Sequence, residues 1–439
     1  NQRDDDYGGS LDNRMRFGLE IIAAIKQATG VDFPLLVRIN GNDFMAGGNG
    51  RDELLNFAEQ LVSAGADALN VNVGWHEAQV PQIVTKVPRG VFSYLARAIR
   101  EQVEVPVIAG HRINDPAVAR QLLAEGSCDL VAMGRALIAD PQLPEKARTG
   151  REQELIHCVA CAQGCFDNLF KLKAVECLCN PRAGHEIQTL NQTTEKPQQV
   201  LVVGGGAAGM SAAIAATERG HQVTLCERGP QLGGQLHLAG SPPGRDEFSQ
   251  LAEDLQRQLT LHSIKVLTAT KVDRSFLSHH RPDHLILATG GQPIMPPIPG
   301  VELPHVVQAW DVLKKKVATG QRVVIIGGGA VGVETALFVA EQGTMSAEDL
   351  KFLLVHRAEP LEELYRLATR GGKQITLIEM IDKLGTNFGR STRWGMLQDL
   401  ERFKISTLTL ATVKEITAGE VIIEPVSYTH LTLPTKRIV

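Results

Sequence analysis

The feature that most constrains this chain is a strand, glycine loop and helix signal that occurs twice. An apolar run at 200–203 leads into Gly204, Gly206 and Gly209, spaced G-x-G-x-x-G, and then into a stretch of small residues. A second run at 322–326 leads likewise into Gly327, Gly329 and Gly332. In such a unit the first glycine makes the turn, the second lets a pyrophosphate approach the backbone, and the third lets helix and strand pack closely. The helix N-terminus then turns its partial positive charge toward the phosphates. Two Rossmann-like dinucleotide sites are therefore expected.

Each unit is followed by a carboxylate. Glu227 lies 18 residues past Gly209, where it can accept hydrogen bonds from ribose hydroxyls. Gly234 and Gln235, in a Gly-Gly-Gln turn, and a later Ala-Thr-Gly at 288–290 point the first unit to FAD. Glu379 ends the strand that begins at Gln374, after an inserted segment at roughly 343–372. A carboxylate there would repel the 2′-phosphate of NADPH, so NADH is favoured over NADPH as the second dinucleotide.

Upstream, apolar runs at 34–39, 68–73, 105–109 and 129–133 alternate with amphipathic stretches near 12–28, 52–64, 92–101 and 115–125. That alternation predicts a parallel sheet of βα units, either a small open sheet or half of an eight-stranded barrel. Polar residues gather where the strands end: Arg38, Asn40, His76, His111, Arg112, Gly134 and Arg135. In a βα barrel that end is the active face. Arg38 is read as ending its strand, where a cation can stabilise a reduced, anionic flavin. Arg112, Gly134 and Arg135 stand where barrels commonly bind phosphate. His76, beside Trp75, carries the side chain best matched to proton transfer near neutrality.

Between the two regions, Cys158, Cys161, Cys165 and Cys177 are spaced C-x2-C-x3-C-x11-C. Four thiolates gathered by tight turns suit a cubane 4Fe–4S cluster or a tetrahedral zinc, and spacing alone does not separate them. The neighbouring flavin-type motifs favour the electron-carrying cluster, since zinc has no redox chemistry. Cys179 is read as a bystander, and Cys128 and Cys226 as small core residues.

Composition narrows the partners. Lys plus Arg total 45 against 49 for Asp plus Glu, a formal charge of −4 without a long basic block, which argues against nucleic acid or an anionic membrane. No apolar run approaches the roughly 20 residues that span a bilayer. The first six residues are polar and acidic, unlike a signal peptide, and with clustered thiols this predicts a cytoplasmic location. The expected partner is a small molecule, and the oligomeric state is left open.

Ordered along the chain, these motifs resemble the flavin and iron–sulfur ene-reductases of the old-yellow-enzyme superfamily, bacterial 2,4-dienoyl-CoA reductase and clostridial 2-enoate reductase in particular. The resemblance rests on Tyr7-Gly8-Gly9-Ser10 with Asn13-Arg14, on Gly74 to Ala78, on Arg112 to Pro116, on the cysteine segment through Asn180-Pro181-Arg182, and on both glycine loops. It implies the C-terminal half of a TIM (β/α)8 barrel holding FMN at 1–150, a 4Fe–4S segment and linker at 151–190, an incomplete FAD-binding domain at 197–320 and an NAD(P)H-binding domain at 321–425. Electrons would pass from NAD(P)H through FAD and the cluster to FMN, which reduces the C=C bond of an unsaturated acyl substrate. By position, Arg38, Arg112, Gly134 and Arg135 would bind FMN, and His76 matches a proton-transfer histidine. A trimethylamine-dehydrogenase-like amine oxidation and an electron-transfer module feeding a protein partner are the alternatives. The opening on a helix entry without a preceding strand, and an unplaced tail at 426–439, lead us to expect a fragment without activity of its own.

Overall fold

The computed structural model describes residues 3–75, 77–189 and 192–426. His76 and residues 427–439 of the expected tail lie outside them. The described residues form two compact units, one running to Gln199 and taking in 213–223 and 250–265, the other comprising 200–212, 224–249 and the chain from Val266.

The first unit opens with α1 (Leu11–Thr29), followed by β1 (Leu36–Asn40), α2 (Arg51–Ser63), β2 (Ala68–Asn72), α3 (Ser93–Arg100), β3 (Val107–Ala109), α4 (Pro116–Ala124) and β4 (Leu130–Val131). The strands lie in one parallel sheet, in chain order β1-β2-β3-β4, with Asn40 opposite Asn72 and Asn70 opposite Ile108. This is the half-barrel arrangement. Its core is Ala58, Leu61, Leu69, Leu95, Ile99 and Val107, each at most 1% exposed. Burying one such leucine or valine is worth about 1.5–3 kcal/mol.

Local chemistry sets the helix ends. Ser10 accepts the Asn13 N–H at the start of α1, and Asp115 caps α4 ahead of Pro116, whose missing N–H costs nothing at that position. β4 is shorter than the run 129–133 suggested. Its one neighbour among the described residues, β3, has only three residues, so the ladder has little to pair with.

The first unit continues through α5 (Arg135–Ala139), α6 (Leu143–Arg148) and α7 (Phe166–Leu169). The nucleotide-binding region begins with β5 (Gln199–Val203), α8 (Ala207–Glu218), β6 (Gln222–Cys226), α9 (Gln235–Ala239), α10 (Glu247–Leu261), β7 (Lys265–Leu267), α11 (Arg274–His280) and β8 (His284–Leu287), its sheet ordered β7-β6-β5-β8. Then come α12 (Ala309–Leu313), β9 (Arg322–Ile326), α13 (Ala330–Glu341), α14 (Ala347–Val355), α15 (Leu361–Thr369), β10 (Gln374–Ile378), α16 (Arg390–Arg402) and β11 (Ser406–Leu408), with sheet order β11-β10-β9. The hairpin of β12 (Ala411–Ile416) and β13 (Val421–Pro425) closes the described chain. The inserted segment is the helix pair α14 and α15. It leaves the next strand in step, with Ile378 opposite Ile326, so Glu379 follows β10 as Glu227 follows β6.

Candidate functional site

At the strand ends of the half barrel, polar side chains interlock. Arg38 does not end its strand as expected, because β1 runs two residues further, to Asn40. Strand alternation puts both on one face. The Arg38 guanidinium donates to Asn72 Oδ1 (2.5 Å), Asn72 Nδ2 donates to Asn40 Oδ1 (2.7 Å), and Asn40 Nδ2 donates to Asp43 Oδ1 (2.6 Å). The other oxygen of Asp43 accepts the Asn49 N–H (2.7 Å), and Arg14 ties Asn49 to Glu53. Arg38, Asn40, Asp43, Asn72, Met45 and Trp75 line a cavity of about 1220 Å³. Sequence reading placed Asn40 at a strand end but missed its link to Asn72 and Asp43, whose signal was asparagine at the same register position of two adjacent strands. His76 lies outside the described residues.

Beyond β3, His111 and Arg112 both adopt left-handed backbone, with φ of 67° and 54°. Each such residue costs about 1–2 kcal/mol when it is not glycine. The fold holds the turn with the Gly90 N–H on the Arg112 carbonyl (3.0 Å) and the Arg112 guanidinium on the Val87 carbonyl (2.7 Å). Arg112, expected at a phosphate, is thus buried and engaged with the main chain. His111 packs edge-on to Phe92, and burial, with Arg38 and Arg135 adding repulsion, lowers its pKa to about 4. The imidazole at these strand ends therefore stays neutral near pH 7, with Arg38 and Arg135 both repelling a proton from it.

Gly134 precedes α5, and a Cβ added to it would meet nothing within 4 Å. Arg135 begins the helix with its guanidinium over the Phe166 ring (5.6 Å), and its buried Nη1 finds no hydrogen-bond partner among the described residues. A buried guanidinium N–H left unpaired costs free energy, and a phosphate oxygen would satisfy it. The site thus fits the phosphate of an FMN.

The thiols lie alongside. Left-handed Ala160 and Ala162 curl the loop between Cys158 and Cys165, and the Glu176 N–H donates to the Gly164 carbonyl (2.7 Å), bringing the segment that carries Cys177 against it. The thiol of Cys161 is influenced by Cys158, Cys165 and Cys177 together, and burial pushes it up to about 12. Burial also raises Cys158, against the pull of Arg135. Cys179 hydrogen-bonds to Cys177 and brings it down to about 6, so the expected bystander supports a ligand candidate. Among the described residues no three His, Cys, Asp or Glu are close enough to share one metal ion. A four-iron core carries its thiolates on its corners, farther apart than the ligands of one ion. Four half-buried thiols, three of which act electrostatically on Cys161, fit it by donor chemistry, since a cationic core would compensate the charge of their thiolates. The Thr85 hydroxyl holds the Val159 carbonyl (2.7 Å) and Asn114 Nδ2 the Cys158 carbonyl (2.5 Å), so the loop is stitched to the half barrel.

Both glycine loops have the geometry their spacing implied. Gly204 has φ 113°, and a Cβ there would lie 2.2 Å from the Ala288 carbonyl oxygen; on Gly209 it would lie 1.9 Å from the Gly204 oxygen. A Cβ on Gly206 meets nothing, which is the open space a pyrophosphate needs. In the second loop, Gly327 has φ 101° and a Cβ on Gly332 would meet the Gly327 oxygen at 1.8 Å, while Gly329 faces Asn387 at 3.4 Å. Glu227 accepts the Gly205 and Gly229 N–H groups (both 2.7 Å), and Glu379 those of Gly328 (2.7 Å) and Ile381 (3.0 Å). The carboxylates therefore brace the loops and keep further lone pairs for ribose hydroxyls. Gly234 rests on Gly206, and Gln235 Nε2 reaches the Gly291 carbonyl (3.3 Å). A repeat went unread: Leu232-Gly233 and Leu384-Gly385 stand at the same distance past Glu227 and Glu379, with Gly233 and Gly385 donating to Gly205 and Gly328.

A half barrel, a thiol loop and two dinucleotide folds define a pyridine-nucleotide-linked flavin oxidoreductase. The profile of the NADH:flavin oxidoreductase / NADH oxidase family matches residues 1–154, and that of the pyridine nucleotide-disulphide oxidoreductases matches 99–274 and 198–438. The chain belongs to this flavin-dependent oxidoreductase family of the old-yellow-enzyme type. Its domains imply FMN, FAD and NAD(P)H, and a 4Fe–4S cluster is typical of the family. The chain is 44% identical to a metal reductase of Desulforamulus reducens, over 100% of this chain and 66% of that protein. It is 35% identical to a cinnamate reductase of Clostridium sporogenes, over 78% and 54%. A 2-naphthoyl-CoA reductase structure superposes with a TM-score of 0.86 at 31% identity, over 97% of this chain and 61% of the other. The chain thus spans less than two thirds of the length of these relatives. No helix among the described residues is long and apolar enough to cross a membrane.

Proposed function

We propose that this chain is the electron-input and flavin-binding portion of an NAD(P)H-dependent ene-reductase acting on an unsaturated acyl substrate, a 2-enoate or an enoyl-CoA, in a reducing cytoplasm. The observation that carries the reading is the buried Arg135 Nη1, which has no hydrogen-bond partner among the described residues and whose guanidinium acts on both His111 at the strand ends and Cys158. When bound, the groups supply hydride acceptance at FAD, one-electron relay at the cluster and hydride delivery from FMN to the C=C bond. In this reading residues 1–150 hold FMN, 151–190 the cluster, 197–320 FAD and 321–425 NAD(P)H. Gly204, Gly206 and Gly209 admit the FAD pyrophosphate, with Gly234 and Gln235 closing over it and Glu227 on its ribose. Gly327, Gly329, Gly332 and Glu379 do the same for NADH. Cys158, Cys161, Cys165 and Cys177 ligate the cluster. Arg38 supports the flavin ring from the strand face; Gly134 and Arg135 hold its phosphate. Arg112 supports the turn, and His76 supplies a proton.

Anaerobic NADH should bleach the flavin absorbance of the holoenzyme, and cinnamate or an aromatic enoyl-CoA should restore it. Reoxidation by neither of them, but by an oxidised metal ion, would replace ene reduction with the metal-reducing reading that the 44% relative suggests. Flavin reduction by a tertiary amine without NADH would instead favour an amine dehydrogenase.

A further inference from the structure

One face of α10 carries Gln250, Asp254, Arg257 and Gln258, at the helical spacing that lines side chains up. Each meets the segment before the thiol loop or the half barrel. Arg257 Nε donates to the Gln153 carbonyl (3.3 Å), Gln258 Nε2 to the Glu154 carbonyl (2.7 Å), and Arg89 bridges Gln250 and Asp115. Asp254 differs from the rest. It is fully buried, its Oδ2 accepts both the backbone N–H of His157 (2.8 Å) and the ring Nδ1 (3.0 Å), and its Oδ1 pairs with Arg257. His157 immediately precedes Cys158, whose carbonyl is held from the other side by Asn114. A buried carboxylate is costly unless compensated, and among the described residues the compensating groups are Arg257 and the residue that carries Cys158 into place.

We propose that Asp254 is a positioning residue for the cluster, fixing Cys158 through His157 and holding a buried negative charge against the residue that precedes it. The proposal rests on the reading of the four cysteines as cluster ligands. Its physical basis is general: groups hydrogen-bonded behind a ligand typically contribute 10–100-fold in metal retention, and charge and hydrogen bonding around the sulfurs tune a cluster's potential.

The test compares anaerobically prepared wild-type holoenzyme with D254N, whose side chain keeps the shape and one oxygen but loses the charge. D254N should release iron to a ferrous chelator roughly 10–100-fold faster. Its reduced cluster should show shifted EPR g-values and a more positive midpoint potential, with FAD content unchanged. Gln258→Ala, on the same helix face but not touching His157, should leave all three at wild-type values. Should D254N fail to accumulate, His157→Gln, which keeps the backbone N–H and removes the ring, must shift the EPR signal in its place. Wild-type iron release, EPR and potential in D254N, or equal shifts in Gln258→Ala, overturn the proposal. A wild-type protein without iron overturns the cluster reading itself, and the proposal with it.

Discussion

Two glycine substitutions three residues apart separate binding from folding in the first dinucleotide loop. A Cβ on Gly206 would enter open space, and its backbone is not left-handed, so Gly206→Ala should leave the flavin-free fold within about 0.5 kcal/mol of wild type. A Cβ on Gly209 would lie 1.9 Å from the Gly204 carbonyl oxygen, so Gly209→Ala must push strand and helix apart. Overpacking of that kind costs about 1–3 kcal/mol, only partly offset by the ~1 kcal/mol that alanine gains over glycine in a helix. Binding reverses the order of interest. The Gly206 methyl would fill the pyrophosphate's place, and losing one charge-assisted hydrogen bond of about 1.5–3 kcal/mol weakens FAD roughly 10- to 150-fold. With FAD at 100 times the wild-type Kd, wild type gains about 2.7 kcal/mol, whereas a variant bound 100-fold more weakly gains about 0.4 kcal/mol. Urea unfolding followed by circular dichroism, with and without FAD, reads both numbers. If Gly206→Ala were as unstable as Gly209→Ala without flavin, or bound FAD like wild type, the assignment of the loop would be wrong.

Three further outcomes are expected. Arg135→Leu should weaken FMN about 10- to 150-fold, through the loss of a charge-assisted hydrogen bond, while leaving FAD in place; flavin analysis after gel filtration separates the two. His111 refuses a proton until about pH 4 when folded but takes one near 6.5 when unfolded, so its penalty is absent above pH 6.5 and grows as pH falls toward 4. By pH 4.5 it reaches about 2–3 kcal/mol, and His111→Asn should flatten that part of the urea-stability profile; an unchanged slope would show that His111 is not held neutral. Glu379→Gln keeps an acceptor for the Gly328 N–H but loses the charge, so the ratio of kcat/KM for NADH over NADPH should fall by about tenfold, and an unaltered ratio would remove Glu379 from the ribose site.

Much of this was legible because it depends on local pattern. The glycine spacing forces the turns found at Gly204 and Gly327, and the helices at 11–29 and 51–63 stand within a residue of their amphipathic stretches. What escaped depends on register or on rare backbone. Arg38 joins Asn40 and Asn72 only because β1 and β2 pair with Asn40 opposite Asn72, which neither segment reveals alone. Nothing local marks His111 and Arg112 for left-handed backbone; the Gly90 and Val87 contacts that hold them come from a segment about twenty residues earlier. The Asp254–His157 pair joins residues 97 positions apart. The Leu-Gly pair after each carboxylate was in plain view, but its meaning lies in donation to the middle glycine of the loop.

The direct trial is to break the relay while both flavins stay bound. Anaerobic NADH should bleach FAD and FMN alike in wild-type holoenzyme, but in Cys161→Ala only the FAD absorbance should fall, with the enoyl substrate left unreduced. Full bleaching and undiminished turnover without that thiol would contradict the account.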